Sequence, residues 1–252
     1  AANKTIGQGG FQEVEQMNLF KDMVCYQEEV RDPARMAEVL NRVIEKAIRG
    51  SAPAQINVPR DFWTQVIDIE LPPIVRLERQ AGGVESVDEA AKLLSSAKFP
   101  VILSGAGVVI GGAIDDCVKL AEKLDSPVCS GYQHNDSFPG SHPLAVGPLG
   151  YNGSKAAMKI IKKADVVLAL GTRLNPFSTL PGYGIDYWPQ NAKIIQVDVN
   201  SDRIGLTKKV SLGIVGDARK VIEGLLENIK IVENESARNE RSVFIAQTKS
   251  SW

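Results

Sequence analysis

The chain has 252 residues, 44% of them hydrophobic and 23% charged, with a formal net charge of −1. That composition fits an ordinary soluble globular protein of one large domain or two smaller ones. The balanced charge gives no electrostatic reason to expect nucleic acid or an anionic membrane as a partner, and no apolar run is long enough to span a bilayer.

Residues 31–50, RDPARMAEVLNRVIEKAIRG, predict a helix. Asp32 caps it, Pro33 suits the first helical position, and Gly50 stops it. Met36, Val39, Leu40, Val43, Ile44 and Ala47 recur at helical spacing and define one apolar face. A short strand, APAQINVP, follows and ends at Pro59. A helix feeding a strand through a Gly-Ser-Ala-Pro loop looks like the last crossover of an α/β sheet. The stretch from Pro72 to Gly83 contains Pro72-Pro73 and Gly82-Gly83 and keeps neither a helical nor an alternating period. It predicts an interdomain linker.

A second α/β series is expected from 84 to 232. SVDEAAKLLSSA predicts a helix opened by a capping box, Ser86 with Glu89. PVILS predicts a buried strand, roughly Gly112 to Leu124 a helix, and PVCS a short strand. A Gly/Pro/His-rich loop runs from Gly131 to Gly150. SKAAMKIIKKA predicts a helix; DVVLALG, AKIIQVDV and VSLGIVG predict strands; DARKVIEGLLENI predicts a helix capped by Asp217. Strands apolar throughout, alternating with helices, argue a parallel sheet covered on both faces. The end of the chain, FIAQTKSSW, keeps an apolar-polar helical pattern. With Ala1 in the place of a Met, both ends read as cuts in a longer chain.

Gly105, Gly107 and Gly111 give G-x-G-x-x-x-G after the strand PVILS. Backbone amides there could cradle a pyrophosphate at a helix N-terminus, or the glycines could serve a tight, closely packed turn. A NAD site also wants an acid ending the next strand, and PVCSGY has none. Gly171 ends another strand at the edge where α/β ligands bind, and Arg173 beside it suits a phosphate or carboxylate, or a salt bridge across the linker. Asp198 stands where it could hold a ribose or cap the turn at Asn-Ser-Asp; the cap is expected. His134 and His142 lack metal-ligand spacing, so no metal site is expected. Lys159, Lys162 and Lys163 are expected on a solvated helix face. Cys25, Cys117 and Cys129 are isolated and read as buried free thiols. With no visible signal peptide, a cytoplasmic location follows by default.

Together these pieces resemble thiamine-diphosphate-dependent enzymes of the acetohydroxyacid synthase type. The segment from Gly9 to Trp63 is similar to the end of their pyrimidine-binding domain. KFPVILSGAGVVIGGA, GYNGSKAAMKIIKKADVVLALGTRLNPFST and AKIIQVDVNSDRIG are similar to their central domain. The resemblance implies an α/β chain in four parts. Residues 1–71 would be the end of the pyrimidine-binding α/β domain, 72–83 a linker, 84–232 a Rossmann-like central domain with a parallel sheet, and 233–252 the start of a linker to a missing pyrophosphate-binding domain.

For the complete enzyme the resemblance implies thiamine diphosphate and Mg2+, a small-molecule substrate, and a homo-oligomer, dimer or tetramer. Some members hold FAD in the central domain; neither FAD nor NAD is expected here. Acetohydroxyacid synthases usually show Lys-His where this chain has Cys25-Tyr26, which argues against acetolactate synthesis. QGGFQEVEQMNLFKDMVCYQEEVRDP, GYQHNDSFPGSHPL and NPFSTLPGYGIDYWP instead carry a likeness to a branch that turns a sulfonated aldehyde and phosphate into acetyl phosphate and sulfite. In the family the loop at Phe11 and Gln12 reaches toward the cofactor's reactive carbon. Those two residues are therefore the catalytic candidates, with the glutamine amide able to donate to a developing oxyanion or hold the sulfonate. Glu13 is expected to pair with a neighbouring base. Gly105, Gly107 and Arg173 are weaker cofactor-binding candidates. The family's proton-relay glutamate lies upstream of the matched segment and its Gly-Asp-Gly metal motif downstream, so residues 1–252 alone are expected to be catalytically silent. A noncatalytic nucleotide-binding module is the competing reading.

Overall fold

The helix at 31–50 and the strand after it pack on a strand that the sequence hides. The computed structural model describes residues 2–11, 13–73, 75–231 and 235–251, with backbone alone for 235–237. It divides the chain into two units, Ala1–Leu77 and Glu78–Trp252. The division falls inside the stretch 72–83.

In the first unit a short helix, α1 (Gln16–Phe20), precedes β1 (Tyr26–Glu29), α2 (Met36–Gly50) and β2 (Ala54–Asn57). β1 and β2 pair in parallel, with Tyr26 opposite Ala54 and Glu29 opposite Asn57. The Asp32 carboxylate accepts from the Ala34 amide at 2.9 Å, a single 3-10 turn covers Pro33–Arg35, and α2 continues to Gly50. The stop is made by Ser51, which takes the left-handed conformation at φ 45°. Val39 and Val43 bury against Val30, and Tyr26, Ile56 and Phe62 pack around them. Leu40, Ile44 and Ile48, a second apolar row on the same helix, stay 43–69% exposed. The two strands depend on α2 for their cover, since two strands alone are marginally stable at best.

The second unit holds α3 (Val84–Ser96), β3 (Pro100–Ser104), α4 (Ala106–Ile110), α5 (Ile114–Leu124), β4 (Val128–Gly131), β5 (Ala145–Leu149), α6 (Lys155–Ile161), β6 (Val166–Leu170), β7 (Lys193–Asp198), β8 (Leu212–Val215), α7 (Ala218–Asn228) and α8 (Glu235–Ser250). Its six strands are all parallel, in the order β5-β4-β3-β6-β7-β8. Taken in chain order within the unit, that is 3-2-1-4-5-6, the doubly wound Rossmann arrangement. β3 and β6 are buried at every position, as apolar strands between two helical layers must be.

Several details differ from the sequence reading. α3 begins at Val84 on Gly83, so Ser86 lies inside the helix and the expected capping box does not form. The loop expected from Gly131 to Gly150 contains β5, whose pairing with β4 shifts register between Val128 and Cys129. Asp217 caps α7 as expected, accepting from the amides of Arg219 and Lys220. The stretch expected to open a linker carries α8, which docks on the second unit. The buried Arg241 guanidinium there donates to the carbonyls of Lys98 (2.9 Å) and Leu124 (3.2 Å) and meets Asp125 at 3.3 Å. Cys117 and Cys129 are buried, but Cys25 is exposed just ahead of β1. Burial pushes the Cys117 thiol up to about 12 and raises Cys129 as well.

Candidate functional site

In a doubly wound sheet ligands enter at the carboxyl edge where strand order reverses, here between β3 and β6. Gly105 leaves β3 and Gly171 leaves β6, and their backbones meet. The Gly105 amide donates to Leu170 O at 3.0 Å and the Gly107 amide to Gly171 O at 2.9 Å. A Cβ on Gly105 would stand 2.7 Å from Gly171 O, and one on Gly107 would stand 2.5 Å from Gly171 Cα. Glycine is required because two main chains touch, and the amides that a pyrophosphate would need are already committed. Of the two roles the sequence left open for Gly105 and Gly107, the contact between main chains supports the closely packed turn. α4, which follows them, has only five residues.

The segment leaving β6 then crosses the edge. Leu174, left-handed at φ 51°, is buried, and so are Ser178 and Thr179. The Tyr151 amide, beyond β5, donates to Phe177 O at 3.0 Å, and a Cβ on Gly150 would stand 2.7 Å from Ser178 Cα. Because β4 and β3 lie between β5 and β6, residues 174–179 roof the ends of both. The rings of Tyr132, Tyr151 and Phe177, one from each of three strand ends, cluster there with centroids 5.2–6.2 Å apart. Arg173 lies at the same edge, exposed, and makes no hydrogen bond or ion pair with another described residue. The salt bridge across the linker is therefore not formed among them.

The other polar candidates have local roles. Asp198 Oδ1 accepts from the Asn200 amide at 2.9 Å, the expected cap. His142 Nε2 lies 3.3 Å from Glu122 Oε1, and His134 Nδ1 lies 4.0 Å from Asp136. Lys159, Lys162 and Lys163 are exposed. Among the described residues no three His, Cys, Asp or Glu side chains gather as a metal site.

In the first unit Phe11 projects from a glycine-rich turn and is 92% exposed. Gln12 lies outside the described residues. Among the described residues Glu13 does not meet a base. Its Oε1 accepts from the Gly7 amide at 2.5 Å and its Oε2 from the Gly10 amide at 3.1 Å. Those two hydrogen bonds hold its carboxyl below the usual range. The sequence reading missed this closure; its signal is the run Gly7-Gln8-Gly9-Gly10 shortly before an acid. Tyr26, of the departing Cys25-Tyr26 pair, donates to Glu28 at 2.7 Å, and Arg42 clasps the same carboxylate at 2.8 and 3.1 Å.

The family model described as thiamine pyrophosphate enzyme, central domain, matches residues 87–225, inside the second unit. The chain therefore belongs to the thiamine pyrophosphate enzymes and contains their central domain. Over all 252 of its residues it is 73% identical to the sulfoacetaldehyde acetyltransferase of Roseovarius nubinhibens, covering 42% of that protein. It is 71% identical to a probable sulfoacetaldehyde acetyltransferase of Rhizobium meliloti, covering 43% of it. The chain thus spans about two fifths of the length of these relatives. The crystal structure of benzoylformate decarboxylase from Polynucleobacter necessarius matches 94% of this chain and 44% of its own with a TM-score of 0.77 at 20% identity, a likeness of fold alone.

Proposed function

We propose that this chain is the end of the pyrimidine-binding domain, with the central domain, of a longer thiamine-diphosphate-dependent acyltransferase. The complete protein would convert sulfoacetaldehyde and phosphate to acetyl phosphate and sulfite. The observation that carries this reading is the 73% identity over the whole 252 residues, which leaves neither unit outside the likeness. The exposed apolar row Leu40, Ile44 and Ile48 on α2 supports the domain reading, since it offers a face for other parts of the same domain to cover. The chain's departure from Lys-His at Cys25-Tyr26 disfavours acetolactate synthesis, and the committed amides at Gly105 and Gly107 disfavour a nucleotide-binding module.

In such an enzyme thiamine diphosphate, held with Mg2+, supplies the carbon nucleophile and the electron sink for acyl transfer. The described residues do not fit its diphosphate end. No acidic cluster forms among them, and Asp217 of Gly216-Asp217 is committed to capping α7. Residues of the complete protein outside 1–252 would hold the metal and the diphosphate. This chain would contribute Phe11 and Gln12, the Gln12 amide donating to a developing oxyanion or holding the sulfonate. It would also contribute the second unit as a scaffold, in which neither FAD nor NAD is expected. Arg173 would be free to meet an anionic group. The complete protein would be a cytoplasmic homo-oligomer, dimer or tetramer, acting on small molecules and not on nucleic acid or a membrane; no helix among the described residues is long and apolar enough to cross one.

The test is to give the complete protein, with thiamine diphosphate, Mg2+ and phosphate, either sulfoacetaldehyde or pyruvate. Sulfite and acetyl phosphate in equal amounts from the first are expected. Acetolactate from pyruvate, with no sulfite from sulfoacetaldehyde, would overturn the reading.

A further inference from the structure

We propose that Glu13 is a positioning residue, whose carboxylate closes the turn that begins at Gly7 and so fixes the place of Phe11. The inference rests on the functional reading above for what Phe11 and its neighbour do, and on the hydrogen bonds alone for how they are held.

Among the described residues the other bonds at the start of the turn are local: the Gln8 amide donates to Thr5 O at 3.2 Å and Gln8 Nε2 to Lys4 O at 3.1 Å. Gly7 and Gly9 are left-handed, at φ 82° and 72°, and a Cβ on either would meet nothing within 4 Å. Such glycines permit the turn without enforcing it, because they visit many other conformations at no steric cost. Phe11 is almost fully exposed, so packing does not anchor it. Upstream, the Asn3 amide donates to Asp61 Oδ1 at 3.0 Å, which ties the base of the segment to the turn at Arg60–Phe62. Downstream, the Glu13 amide donates to Gly10 O at 3.2 Å. Only the Glu13 side chain spans the turn among the described residues. It takes one amide from the start, Gly7, and one from just before Phe11, Gly10.

Ionised carboxylates accept such bonds more strongly than neutral acceptors do, and both oxygens are used. The geometry needs two acceptors on one rigid group, which glutamate offers and glutamine does not. In Glu13→Gln the amide nitrogen faces a backbone N–H, donor against donor, and one of the two bonds is lost. Glu13→Asp keeps both acceptors on a shorter stem. Misplacement of about 1 Å in a reacting constellation costs about a hundredfold in rate.

The experiment uses the complete protein and follows both turnover and backbone exchange. In Glu13→Gln the peptide covering residues 6–13 should exchange its amide hydrogens faster, while the peptide covering α2 keeps its protection, which shows that the unit remains folded. Sulfite release should fall at least tenfold in kcat with KM for sulfoacetaldehyde changed much less, and Glu13→Asp should recover part of the loss. Unchanged exchange at residues 6–13 would show that no closure exists and would overturn the proposal. Faster exchange with wild-type kcat would overturn it equally, since the closure would then position nothing. If the wild-type protein releases no sulfite, the functional reading fails by itself; the closure is then still decided by exchange at Gly7 and Gly10.

Discussion

Replacing Gly107 by alanine tests whether the glycines after β3 serve packing or a ligand. The new Cβ would lie 2.5 Å from Gly171 Cα, a main-chain atom that cannot swing aside. Overpacking against yielding neighbours costs about 1–3 kcal/mol, and a backbone neighbour puts this site at the upper end. Parting the two chains also stretches the bond from the Gly107 amide to Gly171 O, worth about 1 kcal/mol. Alanine's smaller freedom in the unfolded chain returns at most about 1 kcal/mol. The net is a loss of about 3 kcal/mol, which should appear as about a hundredfold faster exchange in peptides covering β3 and β6. Gly140→Ala is the control, since a Cβ there meets nothing within 4 Å and its backbone is not left-handed. It should change protection by less than threefold. Wild-type protection in Gly107→Ala would refute the packing argument. A phosphate cradle predicts that pattern, with stability kept and nucleotide affinity lost.

Trypsin should cut first at Arg76, in the exposed stretch ahead of the division at Leu77, and spare Arg79, whose Nη1 donates to Gly111 O at 2.6 Å and lies 3.4 Å from Asp217; a first cut between Val84 and Asn228 would contradict this. Acid should loosen the first unit through Glu28 and Glu38, whose carboxyls are held down by Arg42 and, for Glu38, first by Arg35, with Glu38 near 2. Because the folded values lie below the usual 4.5, their stabilisation is fully present above pH 4.5 and is lost as pH falls through the lowered values. Protection of α2, taken relative to the intrinsic exchange rate at each pH, should therefore fall between pH 4.5 and 2, and Arg42→Met should flatten that dependence; a variant as acid-sensitive as the wild type would refute the assignment.

What the sequence showed depended on whether burial or backbone geometry made the element. β3, β6 and β7 were legible because strands covered on both faces must be apolar throughout. β5 was hidden because Gly147 and Pro148 stand inside it, and β1 because Tyr-Gln-Glu-Glu carries no apolar pattern; its core contact comes from α2. The capping box at Ser86 was a sound local motif, but α3 starts two residues earlier, on Gly83, which places Ser86 inside the helix. For the candidate site, the glycines after β3 were visible, yet the contact with Gly171, some 60 residues on, which favours packing over a cradle, was not. Phe11 and Gln12 came from family likeness alone, since nothing in their local pattern announces a reactive turn. The Glu13 closure needed coordinates because two amides converging on one carboxylate leave no periodic trace.

The most direct test of the account is a side-by-side assay of the complete protein and of residues 1–252, each with thiamine diphosphate, Mg2+, phosphate and sulfoacetaldehyde. The complete protein should release sulfite and form acetyl phosphate only when thiamine diphosphate is present. Residues 1–252 should release sulfite no faster than a protein-free control, because their described side chains gather no site for the metal and diphosphate. Sulfite release by residues 1–252 above that control, dependent on thiamine diphosphate, would show that the cofactor is held by groups assigned here to packing and capping, and would contradict the account.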